Sequence, residues 1–599
     1  MEGGLIRLTL ALAIAIFAAP AFAESNSTGP IVNLGYARYR GYHDANFDLN
    51  IWKGVRYASP PVGKLRWQAP QPPLFNNSRV TIAVDPPPMC PQTGAFGTPT
   101  IYGFNSGPGN EDCLYLNVYA PPNAKKLPVF MWIHGGGNSV FGASLYDPSA
   151  LINTNNNSFI AVMIQYRLGA FGYLASPEIK AKGVLNAGLL DQRFAMEWVK
   201  QHISKFGGNG NNVTIGGESS GAGSVMHHAL AYGGNETNLF NNIIAASPWA
   251  PPLYRFDDGF PTANYDAFAD LVGCDAGTTS ELKNRSDVFD CLVSTDTATL
   301  QNASGLVSTT RGYFGSFAFG PVIDDDYIRG LPSKQLLSGH VAGKRILVGN
   351  NGNEGVPLTN PEVSTANAYS RFISNTFPKF TVEDRRELDY IYQISQSEPG
   401  NNGSRYDTLG DQGPTALTVS EMATGLQQSV FNIAAESLFD CPAQWLAEAF
   451  SCGANNNNSL QAWKYQYSVT PAYHGADLTA YFSIGADTPN ADFSHAFQKI
   501  WGNFIVSGSP VISMADATAG LSNAATPADG GGSIYWPAYT LAAPYQMDLN
   551  TTGETPPYYY VRNGSGIVNT FRLVNATSWE GGRGARCEFW RDVAPRVPF

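Results

Sequence analysis

Val213-Thr214-Ile215-Gly216-Gly217-Glu218-Ser219-Ser220-Gly221-Ala222-Gly223 sets a β-branched run directly before a G-x-S-x-G. It leads into Ser224, Val225, Met226, His227, His228, Ala229 and Leu230, which read as a helix. Strand, sharp turn and helix is the layout that lifts a serine hydroxyl clear of a sheet. Only glycine-sized neighbours permit so tight a turn, because larger side chains would clash across it. Ser219 is therefore the candidate nucleophile. With 62 glycines in the chain the pattern can arise by chance, so the reading depends on its surroundings.

Outward from this stretch the chain alternates apolar runs of strand length with amphipathic helices. Ile51–Ala58, Lys126–Ile133, Phe159–Tyr166, Ile243–Ala246, Ile346–Gly349 and Trp463–Ser468 predict buried strands. Leu190, Phe194 and Trp198 recur at helical spacing just before the elbow strand. That alternation predicts an α/β fold with a mostly parallel sheet and helices on both faces. The runs at Asn153–Asn157, Gly400–Gly403, Asn455–Asn458 and Asp529–Gly532 read as surface loops within one domain rather than linkers.

The chain has 599 residues, 43% hydrophobic and 14% charged, enough for a large core. Its net charge of -11 and the lack of a basic cluster argue against nucleic acid as a partner. Arg7, an apolar run from Leu8 to Ala19, and Ala21-Phe22-Ala23 read as a secretory signal over residues 1–23. The run is shorter than the roughly 18 apolar residues of a membrane span, so the expectation is an extracellular protein with no integral membrane segment. Asn-x-Ser/Thr acceptors at Asn26, Asn76, Asn156, Asn235, Asn284, Asn302, Asn402, Asn457, Asn550, Asn563 and Asn575 then become candidates for glycosylation. Of the seven cysteines, Cys90 with Cys113 and Cys274 with Cys291 look like local staples, although spacing alone does not fix connectivity. No cysteine or histidine spacing suits a metal, and no cofactor is expected.

Several blocks in order resemble the type-B carboxylesterase/lipase family, an α/β-hydrolase family that includes fungal lipases and cholinesterases. They are Gly54–Trp67, Glu111–Val118, Trp132–Gly137, Asn186–Val199 and Gly217–Gly221. The likeness runs from about Gly54 to the C-terminus, implying one catalytic domain over residues 24–599. It implies Glu354, in Gly349-Asn350-Asn351-Gly352-Asn353-Glu354-Gly355, as the acid of a triad. It likewise implies His474, in Tyr473-His474-Gly475-Ala476-Asp477, as the base. The order Ser219, Glu354, His474 is the one the fold requires. The resemblance also implies backbone amides of Gly136, Gly137 and Ser220 as an oxyanion hole, with Glu218 and Ser247 in supporting roles. It makes Asp191 the partner of Arg167 and not the triad acid. His134 belongs to the glycine motif, His227 and His228 to the helix after the elbow, and His43, His202, His340 and His495 carry no catalytic context. It pairs Cys441 with Cys587 and leaves Cys452 free, with a Cys441 to Cys452 bridge as the alternative. Gly216 stands where relatives carry an aromatic and predicts looser packing under the elbow. Ser220 stands where they carry Ala.

A serine hydroxyl attacks only as an imidazole takes its proton, and a carboxylate holds that ring's tautomer and stabilises the imidazolium. With these roles, the resemblance implies a carboxylic ester hydrolase that works through an acyl-enzyme on a small-molecule ester or lipid. In the family the loop between the first two cysteines sets selectivity. Here it carries Phe96, Ile101, Tyr102 and Phe104 and no Trp, which disfavours choline esters. Its modest apolarity favours a broad carboxylesterase over a triacylglycerol or sterol-ester lipase with this loop as lid. A non-catalytic, cholinesterase-like binding module is the remote alternative, since such relatives typically lack the serine.

Overall fold

The computed structural model describes residues 29–94, 109–236, 238–274, 286–311, 317–356, 358–360, 362–392, 425–451, 460–469, 472–482, 490–518, 532–552 and 567–597, without the side chains of 286 and 287. The predicted signal, the four aromatic and aliphatic residues of the Cys90 to Cys113 loop, Cys452, and the acceptors Asn26, Asn284, Asn402, Asn457 and Asn563 lie outside the described residues.

One sheet of 11 strands organises the chain. In chain order these are β1 (Tyr42–Asp44), β2 (Leu49–Arg56), β3 (Tyr115–Ala120), β4 (Leu127–Ile133), β5 (Ile160–Ile164), β6 (Gly208–Glu218), β7 (Asn242–Ala246), β8 (Arg345–Asn351), β9 (Gln461–Tyr467), β10 (Tyr545–Thr551) and β11 (Asn569–Asn575). Their spatial order is β1-β2-β3-β5-β4-β6-β7-β8-β9-β10-β11. Strands β5 through β10 form a continuous parallel block, and antiparallel pairs flank it at both ends. The sheet is therefore of the mostly parallel α/β kind, and each of the six predicted strands overlaps one of its members.

Period-two alternation decides which side chains go to which face. On β4, Val129, Met131 and Ile133 join one core, while Phe130 and Trp132 join the other. The first core is covered by α1 (Ala187–His202) and α2 (Ser220–Gly234, regular as far as Leu230). The second is closed by a later helix, Ala491–Ser507, whose Phe493, Phe497, Trp501 and Phe504 recur at helical spacing and enter the sheet face as a block. Full burial of such aromatics contributes about 1.5–3 kcal/mol each, which makes this face a main source of stability.

Two expectations are corrected. Asn153–Asn157 is not wholly a surface loop. Asn153 and Thr154 end a short helix, and Asn155 is buried, its Nδ2 donating to the carbonyls of Leu151 and Gln498. Packing under the elbow is not loosened by Gly216 either. The Phe130 ring from neighbouring β4 fills that space so closely that a Cβ on Gly216 would fall 2.6 Å from it.

Candidate active site

Because β6, β7, β8 and β9 are parallel neighbours, the loops leaving their C-terminal ends converge. That is where open parallel sheets bind ligands. In register, Glu218 lies opposite Ala246, and Ala246 opposite Gly349. Ser219 therefore leaves β6, Ser247 leaves β7, Glu354 follows β8 and His474 follows β9, all at one end of the sheet.

Ser219 is the hinge between β6 and α2, with φ 58° and ψ -129°, a conformation that costs an L residue of order 1–3 kcal/mol. Close backbone approach keeps it there. A Cβ on Gly217 would lie 2.4 Å from the carbonyl carbon of Gly221, and one on Gly221 would lie 2.1 Å from the Ile133 carbonyl oxygen. Ser219 Oγ is 2.8 Å from His474 Nε2, and His474 Nδ1 is 2.6 Å from Glu354 Oε2. The other oxygen of Glu354 accepts from Ser247 Oγ and from the Asn351 amide, each at 2.5 Å. Glu354 is thus fully buried yet held as an acceptor on both oxygens.

The glycine segment after β4 runs alongside. Gly136 and Gly137 have φ 101° and 61°, in the left-handed region, which turns the backbone toward the elbow. Ser220 is the first residue of α2, so its N–H has no acceptor within the helix. The Ser220 hydroxyl accepts from the Asn138 amide at 3.1 Å and so braces the glycine segment against α2. Tyr166 donates to the His134 carbonyl at 2.7 Å from the other side. A Cβ on Gly137 would strike the Phe317 ring at 2.1 Å.

Phe317 and Trp249, edge to face at 5.5 Å, form the wall of an open cleft with Tyr254, Phe260 and Phe319. The Trp249 amide donates to the carbonyl of Ser219, and Phe317 lies against Gly137, so two residues of the cleft wall adjoin the elbow and the glycine segment.

Charge in the site is crowded. Glu218, buried beneath the elbow, has Oε1 without a hydrogen-bond partner and 3.4 Å from His474 Nε2. Burial pushes its carboxyl up to about 8, against the pull of His474. For His474 burial disfavours the cation, but the carboxylates of Glu218 and Glu354 outweigh it and push the ring up to about 9. The two groups titrate against each other: a proton on Glu218 removes the charge that most favours imidazolium and returns the ring toward its neutral form. Asp477, three residues after His474, is raised to about 6 by burial and then by Glu354. It accepts from Asn351 Nδ2 at 3.1 Å, and the same Nδ2 donates to the Tyr473 carbonyl at 2.7 Å.

Ser219, Glu354, His474, Ser247, Glu218 and the glycine segment therefore meet in one place. Asp191 stands apart in a buried bidentate pair with Arg167, at 2.7 Å on both oxygens. The imidazoles of His227 and His228 are buried along α2, with His228 between Tyr327 and Gln192. Disulfides join Cys90 to Cys113, Cys274 to Cys291 and Cys441 to Cys587. Asn351, Asp477, Trp249 and Phe317 were not singled out from the sequence. Asn351 and Asp477 lie within the segments quoted for Glu354 and His474, but their mutual bond spans 126 residues and has no local signal. Among the described residues no group of His, Cys, Asp and Glu is arranged to hold a metal, and no helix is long and apolar enough to cross a membrane.

The family model for the carboxylesterase family matches residues 28–561. Acetylcholinesterase of Bungarus fasciatus is 29% identical over 557 residues, covering 88% of this chain and 82% of its own length. Lipase 2 of Geotrichum candidum is 29% identical over 488 residues, covering 74% and 82%. Among solved structures, Aspergillus niger EstA superimposes with a TM-score of 0.73 at 26% identity, over 96% of this chain and all of that one. The match takes in every strand from β1 through β10, and with it the serine, acid and histidine segments; the chain belongs to the carboxylesterase family and is a carboxylic ester hydrolase of the α/β-hydrolase fold.

Proposed function

We propose that the protein is a secreted, broad-specificity carboxylesterase that works through an acyl-enzyme at Ser219. The observation that carries this reading is the unbroken series from Ser219 Oγ to His474 to Glu354, at 2.8 and 2.6 Å. His474 Nε2 takes the hydroxyl proton as Oγ attacks the ester carbonyl. Glu354 holds the proton on Nδ1 and stabilises the imidazolium. The carbonyl oxygen, now an oxyanion, is met by the N–H groups of Gly136, Gly137 and Ser220. His474 returns its proton to the departing alcohol as the carbon–oxygen bond breaks, leaving an acyl ester on Ser219. Water, deprotonated by the same imidazole, then releases the acid.

The aromatic cleft that meets the elbow at Trp249 and the glycine segment at Phe317 suits a hydrocarbon acyl group, since both residues offer it ring surface. Secretion is supported by the N-terminal signal pattern, the three disulfides and the scattered glycosylation acceptors, with residues 24–599 as a single catalytic domain. A lipase is the second reading, favoured by the likeness to Lipase 2 of Geotrichum candidum.

Hydrolysis of p-nitrophenyl esters from acetyl to palmitoyl, below and above their solubility, separates the two. A carboxylesterase peaks at short chains with no jump at the interface, and a lipase does the opposite. Ser219→Ala is expected to lose about 10⁶-fold in kcat with an unchanged unfolding midpoint. Activity surviving that change would overturn the assignment of the nucleophile.

A further inference from the structure

The helix Gly425–Ala435 does not stop before the helix Cys441–Ala449. Five residues, Glu436–Asp440, join them as a π-helical turn. π-turns are rare and concentrate at functional sites, because the inserted residue breaks the regular ladder. One extra residue rotates everything after it by about 100° relative to an uninterrupted α-helix. Here that rotation serves two directions at once: Phe439 points into the active site, while Cys441 reaches Cys587 on the C-terminal helix Trp579–Val593.

The Phe439 ring is fully buried, with its centroid 4.3 Å from that of the His474 imidazole and the planes inclined by 40°. The turn that carries it is fixed from several sides. Glu436 receives Arg586 through two bonds of 2.7 and 2.6 Å and the Tyr392 hydroxyl at 2.6 Å. Asp440 Oδ2 lies 3.1 Å from Arg583. The Leu438 carbonyl accepts from the Ala250 amide at 2.9 Å, in the loop that also carries Ser247. The same helix lies against the acid loop, where a Cβ on Gly355, next to Glu354, would fall 1.9 Å from the Phe431 carbonyl.

We propose that Phe439 is a positioning residue: the π-turn holds its ring against the imidazole so that His474 stays in line between Glu354 and Ser219 throughout turnover. The ring nitrogens are bound at their two ends, but those two bonds leave tilt about the line joining them unopposed. A flat apolar surface against the ring face opposes that tilt and keeps water from it. The carboxyls that face His474 are Glu218 from the elbow, Glu354 from the acid loop and Asp477 from its own loop, and the π-turn adds only apolar surface there, since Asp440 turns to Arg583.

This inference rests on His474 being the base, and the test keeps the two apart. Phe439→Ala and Phe439→Leu are compared with Phe450→Leu, a fully buried phenylalanine at the end of the same helix, and with His474→Ala. Misplacing a catalytic group by about 1 Å can cost about 10²-fold, so Phe439→Ala is expected to lower kcat by about that factor, and Phe439→Leu by less, with KM within about twofold of wild type. Water admitted beside the ring stabilises imidazolium, so the acidic limb of the kcat/KM profile moves to higher pH in both Phe439 variants. Phe450→Leu lowers the unfolding midpoint and leaves kcat and that limb in place. If Phe439→Ala does not fold, the Leu variant carries the test alone. Phe439 variants that lose only stability, with kcat and the limb unmoved while His474→Ala is inactive, would overturn the positioning role. A His474→Ala enzyme that still turns over would instead overturn the base assignment beneath it.

Discussion

The two halves of the active site are built in different materials. The half around Ser219 and Gly135 to Gly137 is made of backbone. Its geometry is fixed by a strained φ at Ser219, positive φ at Gly136 and Gly137, and glycines against which no Cβ fits. The half around Glu354 and His474 is made of side chains on two loops, held by Ser247, Asn351, Asp477 and Phe439 from elsewhere in the chain. Backbone geometry is determined by residues next to one another in sequence. A side-chain assembly is determined by residues that meet only after folding. The first half should therefore fail abruptly when glycine is replaced, and the second in graded steps as its supports are removed.

The largest effect that tests this contrast falls on the side-chain half. Glu354→Gln keeps the shape but lets His474 adopt the wrong tautomer, and kcat is expected to fall about 10⁴-fold with KM little changed. Steady-state kinetics on a soluble ester measure it, and a loss below about tenfold would mean that another carboxyl, Asp477 or Glu218, can replace it. On the backbone half, Gly137→Ala drives a methyl into the Phe317 ring and strains φ 61°. Displacing an oxyanion donor costs about 10²- to 10³-fold in kcat, and a normal rate here would mean that the donors lie elsewhere.

The smallest effect is on stability. Glu218, raised from 4.5 to about 8, keeps its proton in the folded chain where the unfolded chain has lost it, so folding stability falls as pH rises from 4.5 toward 8. Glu218→Gln removes this slope. Its thermal midpoint should match wild type at pH 5 and exceed it at pH 8, and a difference that does not change with pH would remove Glu218 as its source.

This contrast also explains what could be read from the sequence. The α/β fold, the elbow and the glycine segment follow from short patterns, because strand alternation and glycine conformation are local properties. Glu354 and His474 were reached through resemblance, since no periodicity marks them out. Asn351, Asp477, Trp249, Phe317 and Phe439 were not foreseen in their roles, because each acts on a partner far along the chain. Gly216 shows the reverse error. Its missing side chain reads as a gap in sequence, whereas the space belongs to Phe130, supplied by the neighbouring strand.

The bond between Cys441 and Cys587 encloses 146 residues of separation, and within that span lie β9, the histidine loop, β10 and β11. A protease that severs the chain once at the exposed Tyr535 would leave two polypeptides on a reducing gel and a single covalent molecule without reductant. The released piece, with β10, β11 and the last helix, would stay bonded through Cys587 to the fragment that carries both Ser219 and His474, so the edge of the sheet beside β9 would be held after the chain had ceased to be continuous.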